Sequence, residues 1–276
     1  MKAAILQLNV SDDPEANLPH TLGLVRQAAD QGATFVLTPE VTNCLSTSRA
    51  HQNEVLRHEE DDPTLAALCD VAAELHIHLL IGSLALKTDD ADGRFANRSF
   101  LIGPDGEILA RYDKIHMFDV AISETETWAE SDGYRPGSRA VLAETPFAPI
   151  EMAVCYDMRF PRLADALVTA GAQILTYPAA FSPETGAAHW HSLLRARAIE
   201  AGAWVLAPAQ TGTHPGGSQK KRSTYGHSLA VDPWGEVVLD AGTAPGVYIF
   251  DLELEKVAEA RRRVPSRENA RKFEGP

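Results

Sequence analysis

The chain carries one succession of segments twice, and this internal repeat limits its fold more than any other feature. "GATFVLTP" (32–39) matches "GAQILTYP" (171–178), and "ELHIHLLIG" (74–82) parallels "EAGAWVLAP" (200–208). "SFLIGPDGEIL" (99–109) parallels "SLAVDPWGEVV" (228–238). Any α/β chain repeats strand, helix and strand, and Gly-Ala before a strand is common. The discriminating feature is the Pro-x-Gly-Glu turn shared by both hairpins. Neither half can cover its own sheet, so the halves are expected to pack sheet against sheet with helices outside. The expected fold class is therefore α/β, a four-layer α-β-β-α sandwich of two related halves forming a single domain over 1–276. The alternative is a doubly wound single sheet.

In order, "AAILQL" (3–8) reads as a strand, and the next segment places Leu18, Leu22, Val25 and Ala29 at helical spacing. "TFVLTPE" is a buried strand ending at Pro39 and Glu40. Asp62 and Pro63 cap a helix through about Leu75, followed by the strand "IHLLIGSLAL". A hairpin then turns at Pro104-Asp105-Gly106. Residues 117–138 show no period and many acidic and turn residues, and a loop of that length inside a compact domain is functional or disordered. Near the end, a helix carries Arg261 to Arg263 in its last turn. The tail beyond it, about 264–276, is expected to pack on a neighbouring subunit.

With 45% hydrophobic residues the 276-residue chain can bury a substantial core. Its 25 basic and 38 acidic residues give a net charge of -13, which argues against nucleic acid or an anionic membrane as the main partner. "MKAAILQLNV" lacks the pattern of a secretory signal, and there is no run of about 18 apolar residues, so a cytoplasmic location is expected. Cys44, Cys69 and Cys155 form no C-x-x-C pair and read as reduced thiols.

Cys155 sits in "PIEMAVCYDMRFPRL" (149–163), where the strand Ile150–Val154 stops and Pro161 opens a helix. A strand-to-helix turn exposes a side chain at the sheet's carboxyl edge and leaves the next N–H, that of Tyr156, free to meet a bound oxygen. Most free cysteines are simply small buried residues, and this competes with a nucleophile. A nucleophilic thiol needs a base and oxyanion donors. Glu40 follows the strand end that mirrors Pro178, which puts it at the same edge of the sandwich. Lys114 closes the first hairpin, where its stem can reach inward. Taken singly, Glu40 reads as a solvated carboxylate and Lys114 as an exposed lysine. A Cys-His pair using His116, His189 or His191 is the rival arrangement, and His76 and His78 share a strand face without a third metal ligand.

"TPE" (38–40), "RYDKIHMFD" (111–119), "ES" and "PG" within 130–137, "AVCYDMRFP" (153–161) and the run from "YPAAF" to "LLRARAIE" (177–200) together resemble the nitrilase, or carbon–nitrogen hydrolase, superfamily. The resemblance spans nearly the whole chain in the right order. It implies the α-β-β-α sandwich, a Glu-Lys-Cys triad on Glu40, Lys114 and Cys155, and a supporting carboxylate at Glu130. True nitrilases usually carry Trp after the nucleophile; Tyr156 stands there, so the resemblance implies an amide rather than a nitrile, and the branch it most resembles implies a small anionic one. Tyr156, Arg159, Phe181, His189, Lys221 and Arg222 are the candidate substrate-binding residues, the last two on the basic loop 216–228. Glu40 is expected to be raised in pKa by burial beside Cys155. No metal or organic cofactor is required, and a homodimer or larger homo-oligomer is implied. Two other classes stay open: a catalytically silent binding protein and a redox-sensing thiol.

Overall fold

The structure is a computed structural model that describes residues 1–124, 126–217 and 221–275. Residues 125 of the 117–138 segment, 218–220 of the basic loop and 276 of the tail lie outside the described residues. The first half contains β1 (Lys2–Gln7), α1 (Pro14–Asp30), β2 (Phe35–Leu37), α2 (Arg49–Val55), α3 (Pro63–Leu75), β3 (His78–Leu86), β4 (Ala96–Ile102) and β5 (Ile108–Asp113). A ribbon of β6 (Asp119–Ala121) and β7 (Thr127–Ala129) follows. The second half contains β8 (Val141–Ala143), β9 (Ile150–Met152), α4 (Pro161–Thr169), β10 (Ile174–Thr176), α5 (Pro183–Ala201) and β11 (Trp204–Ala207). Then come the small pair β12 (Thr211–Thr213) and β13 (Ser223–Tyr225), β14 (Leu229–Val231), β15 (Val237–Asp240), β16 (Gly246–Asp251) and α6 (Glu255–Arg263).

Two six-stranded sheets result, ordered β16-β1-β2-β3-β4-β5 and β15-β14-β11-β10-β9-β8. In the first, β1, β2 and β3 are parallel with antiparallel strands on either side; β9, β10 and β11 repeat that arrangement in the second. The three matched sequence pairs thus fall on β2 and β10, β3 and β11, and the hairpins β4-β5 and β14-β15.

Alternation along the strands explains the layering. Ala3, Ile5, Phe35, Leu37, Leu80 and Leu101 join the cluster containing the second sheet, while Ala4, Leu6, Val36, Leu79, Phe100 and Ile102 pack among α1 and α3 residues. Helices α4 and α5 cover the other sheet, and the four-layer sandwich is complete.

Two local expectations change. Helix α1 buries Asn17, Thr21, Val25 and Ala28, so the inward stripe is rotated from Leu18, Leu22 and Ala29, which lie half-buried on its flank. The cause is polar. Asn17 donates to the Asn43 carbonyl at 2.9 Å and accepts from the Ser11 N–H at 2.8 Å, and Thr21 donates to the Asn17 carbonyl. Segment 117–138 contains the ribbon β6-β7 and a 3-10 turn, Glu130–Asp132. In the tail, Arg267 pairs with Asp165 on α4 of the same chain at 2.8 Å, while Phe273 is 90% exposed.

Glu151, wholly buried on β9, is an ionisable side chain inside this core. Burial pushes its carboxyl up to about 8, although the Tyr177 hydroxyl donates to Oε1 at 3.2 Å. A folded pKa above the unfolded one means stability is greatest below the ordinary carboxylate range and falls as pH rises toward 8. Glu151→Gln removes this ionisation. Its stability relative to the parent chain is expected to climb from about pH 5 to about pH 8 and then level off. Urea denaturation across that range measures the difference, and a pH-independent difference would contradict the buried-acid assignment.

Candidate active site

Glu40 stands three residues beyond β2, where the chain is pinned on all sides. Thr38 N–H continues the ladder to the Leu80 carbonyl at 3.0 Å, and Thr42 Oγ1 donates to the Pro39 carbonyl at 2.8 Å. Gln210 donates to the Glu40 carbonyl from the other half of the molecule at 3.0 Å. The close approach needs Gly82: a Cβ there would lie 2.1 Å from the Thr38 oxygen and 2.5 Å from Pro178 Cβ.

Lys114 follows β5 and is held by its own backbone, which donates to Asn97 O at 3.0 Å and accepts from Gly137 N at 2.7 Å. Its side chain is only 2% exposed. The ammonium donates to Glu40 Oε1 at 2.9 Å and to both Glu130 oxygens at 2.9 and 2.8 Å. Asn97 Nδ2 bridges the same two carboxylates at 2.9 and 3.3 Å, and Phe118 N–H donates to Glu130 at 2.7 Å. Ala180 N–H fills the remaining Glu40 oxygen at 2.8 Å.

Cys155 opens the 3-10 helix Cys155–Arg159 with φ 50, a left-handed backbone that costs a side-chain-bearing residue on the order of 1 kcal/mol or more. Two anchors hold it there. Cys155 N–H donates to the Pro178 carbonyl at 2.9 Å. Buried Asp157 accepts from Val154 N at 2.9 Å, Tyr112 Oη at 2.7 Å and His116 N at 3.0 Å. The elbow is thereby tied to the segment that carries Lys114. Tyr156 sits in the first turn of this helix, where N–H groups have no intrahelical acceptor.

Glu40, Lys114, Glu130 and Cys155 line one cavity of about 530 Å³, with Asn97, Phe118, Trp128, Phe181, Arg49 and Arg222 among its other walls. Cys155 lines the same cavity as Glu40, close enough for the carboxylate to act on its thiol. Burial disfavours a charged Glu40, yet the Lys114 charge and the Lys114, Ala180 and Asn97 hydrogen bonds outweigh it and hold the carboxyl below its ordinary range. The expectation of a raised Glu40 is therefore corrected: the adjoining ammonium overrides desolvation. Burial and the Glu40 charge push the Cys155 thiol well up, against Lys114. Burial also opposes the Lys114 charge, but Glu130 and Glu40 keep it protonated far above the usual lysine range. The free site thus holds an ionised carboxylate, a cation and a neutral thiol.

The other expected residues divide. Phe181 and Arg222 line the cavity; Arg222 donates to the Ala180 carbonyl at 2.8 Å and lies over the Trp128 ring at 4.6 Å. Arg159 stands behind Phe181, 5.4 Å from its ring centre. His189 is exposed and meets Arg159 at 3.3 Å, so it does not shape the cavity wall; its helix turns that face to solvent. Lys221 donates to Gly216 O at 3.0 Å and also lies off the wall. No histidine lines the cavity among the described residues, which removes the Cys-His rival. His116 binds Asp157 at 2.7 Å and stacks on Phe160. Asn97, Asp157 and Arg49 escaped sequence reasoning. The only signal for the first two was a polar residue inside an apolar strand and a carboxylate two places after the cysteine.

The carbon–nitrogen hydrolase family model matches residues 2–262. The chain is 36% identical to the omega-amidase NIT2 of Mus musculus, over 96% of this chain and 92% of that protein. It is 38% identical to the deaminated glutathione amidase of Homo sapiens, over 95% of this chain and 80% of that protein. The C. elegans NitFhit crystal structure superposes with a TM-score of 0.90 at 31% identity and 98% coverage of this chain, which spans 65% of the NitFhit length.

Lys114→Met leaves buried Glu40 and half-buried Glu130 facing each other without a counter-ion. The expected loss is about 3–5 kcal/mol of stability near neutral pH, diminishing as pH falls and the carboxylates protonate. Denaturant unfolding at neutral and acid pH measures it.

Proposed function

The chain belongs to the carbon–nitrogen hydrolase family, and from that premise we propose that it is a thiol amidase cleaving a small anionic amide through an acyl-Cys155 intermediate. The observation that carries the proposal is one cavity lined by the Cys155 thiol and by a Glu40 carboxylate that Lys114 ties to Glu130.

Glu40 is the general base. Because the thiol is held well above its usual pKa, a thiolate does not wait in the free site; its proton passes to Glu40 as Sγ attacks the amide carbonyl. Lys114 and the Tyr156 N–H hold the oxyanion of the tetrahedral intermediate. Glu40 returns the proton to the leaving nitrogen, the amine departs, and a thioester remains on Cys155. Glu40 then deprotonates the water that hydrolyses it. Glu130 orients Lys114.

The substrate we favour is deaminated glutathione, giving 2-oxoglutarate and cysteinylglycine. The second reading is an omega-amidase acting on 2-oxoglutaramate, supported by relatives of that name at comparable identity. Either substrate is anionic and must approach a chain of net charge -13. Arg222 on the wall, with Arg159 behind Phe181 and Lys221 nearby in sequence, supplies the local positive field. The remaining proposals are a single domain over 1–276, a cytoplasmic location and a homodimer or larger homo-oligomer. Exposed Phe273 supports tail packing on a neighbour. Among the described residues no helix is long and apolar enough to cross a membrane.

Cys155→Ser is expected to lower turnover at least about 10³-fold, and a quenched reaction of the parent chain to yield an adduct of thioester mass. Full activity in the serine variant would refute the covalent scheme. Comparing kcat/KM for deaminated glutathione and 2-oxoglutaramate decides between the two readings, a preference for the latter making the chain an omega-amidase.

A further inference from the structure

Away from the catalytic cavity, α5, the turn before β14 and the end of β15 bring two imidazoles to one carboxylate. His191 Nε2 lies 2.9 Å from Asp240 Oδ2, and His227 Nδ1 lies 2.9 Å from Asp240 Oδ1. All three ligand atoms fall within 4.8 Å of one another, the one such group of three or more among the described residues. The side chains are 36%, 26% and 33% exposed, so an ion can enter and water can complete its shell.

The set is held by contacts that need no metal. His227 has φ 54, donates its N–H to Gly242 O at 2.6 Å and accepts from Trp190 Nε1 at 2.8 Å. Its ring stacks on Tyr225 with centroids 4.5 Å apart. His191 follows the fully buried Trp190 on α5. Asp240 Oδ1 also accepts from Gly242 N at 2.9 Å.

We infer that His191, His227 and Asp240 form a binding site for a borderline divalent cation, Zn²⁺ foremost, with the fourth position open to water. Two nitrogens and one carboxylate match the Zn²⁺ ligand set and suit Ca²⁺ or Mg²⁺ poorly, since those ions seek six or more oxygens. Metal bonds of about 2.1 Å space tetrahedral ligands about 3.4 Å apart, so ligand atoms that already lie within 4.8 Å of one another need shifts on the order of 1 Å to share one ion. The ion replaces the ring protons directed at Asp240, and each imidazole then carries its proton on the opposite nitrogen.

The cation takes no part in amide hydrolysis. It fastens α5 to the 225–228 turn, and both support the cavity wall: Trp190 packs on Phe181 at 4.9 Å, and Tyr225 N–H donates to Phe181 O at 3.0 Å. Occupancy is therefore expected to raise the melting temperature.

Titration calorimetry of the full chain with Zn²⁺, and absorption spectra with Co²⁺, test the site. The expected result is one ion per chain, visible d–d bands without a thiolate charge-transfer band, and a Zn²⁺-dependent rise in melting temperature. His191→Gln keeps a hydrogen-bond donor for Asp240, so the fold survives while a ligand is lost. It and Asp240→Asn are expected to weaken Zn²⁺ at least about tenfold, with circular dichroism checking the fold. No uptake by the parent chain, thiolate bands from Cys44, Cys69 or Cys155, or undiminished Zn²⁺ affinity in folded His191→Gln would each overturn the inference.

Discussion

The site depends on one buried cation. Lys114 reaches Glu40 on one side and both oxygens of Glu130 on the other, from a side chain 2% exposed. Burying three charges is costly, and an apolar replacement of matched volume often serves stability as well or better. What the cluster achieves is electrostatic. It leaves Glu40 ionised although buried, while burial, joined by the charge of the two carboxylates, keeps the neighbouring thiol protonated. An ionised carboxylate and a neutral thiol thereby share one cavity before any substrate arrives.

That arrangement requires the two halves to be packed together. Glu40 comes from the first half, but its free oxygen and its backbone carbonyl are bound by Ala180 and Gln210 of the second. Cys155 comes from the second half, while Asp157, two residues on, grips Tyr112 and His116 of the first. The strained turn at Cys155 is held by these cross-links. The β6-β7 ribbon adds Trp128, and Phe118 and Glu130 flank it, closing the cavity over the charges. A segment without periodicity in sequence becomes a wall because its order comes from what it covers.

Much of this was legible in one dimension. The repeat identified the paired sheets because strand periodicity and turn chemistry are local, and each matched segment falls on an equivalent strand. The convergence of Glu40, Lys114 and Cys155 followed from strand-end symmetry and the family resemblance together. His189 and Lys221 were misread as cavity residues because their helix and loop were right while the direction of each side chain was not. The α1 stripe was displaced by one residue because Asn17 is buried through hydrogen bonds that a hydrophobicity pattern does not record.

By itself the sequence determined the repeated strands and helices, their pairing into two equivalent halves and the chemical identity of the triad candidates, since each rests on period, turn residues or motif, whereas α2, the β6-β7 ribbon, β8, the β12-β13 pair and β16 appeared only in the fold. Only the tertiary structure decided the ionisation of the site and the three-way meeting of His191, His227 and Asp240. Desolvation alone would raise Glu40; the nearby ammonium lowers it. That balance turns on distances of about 3 Å between residues 74 positions apart, and no local pattern in the chain carries such a distance.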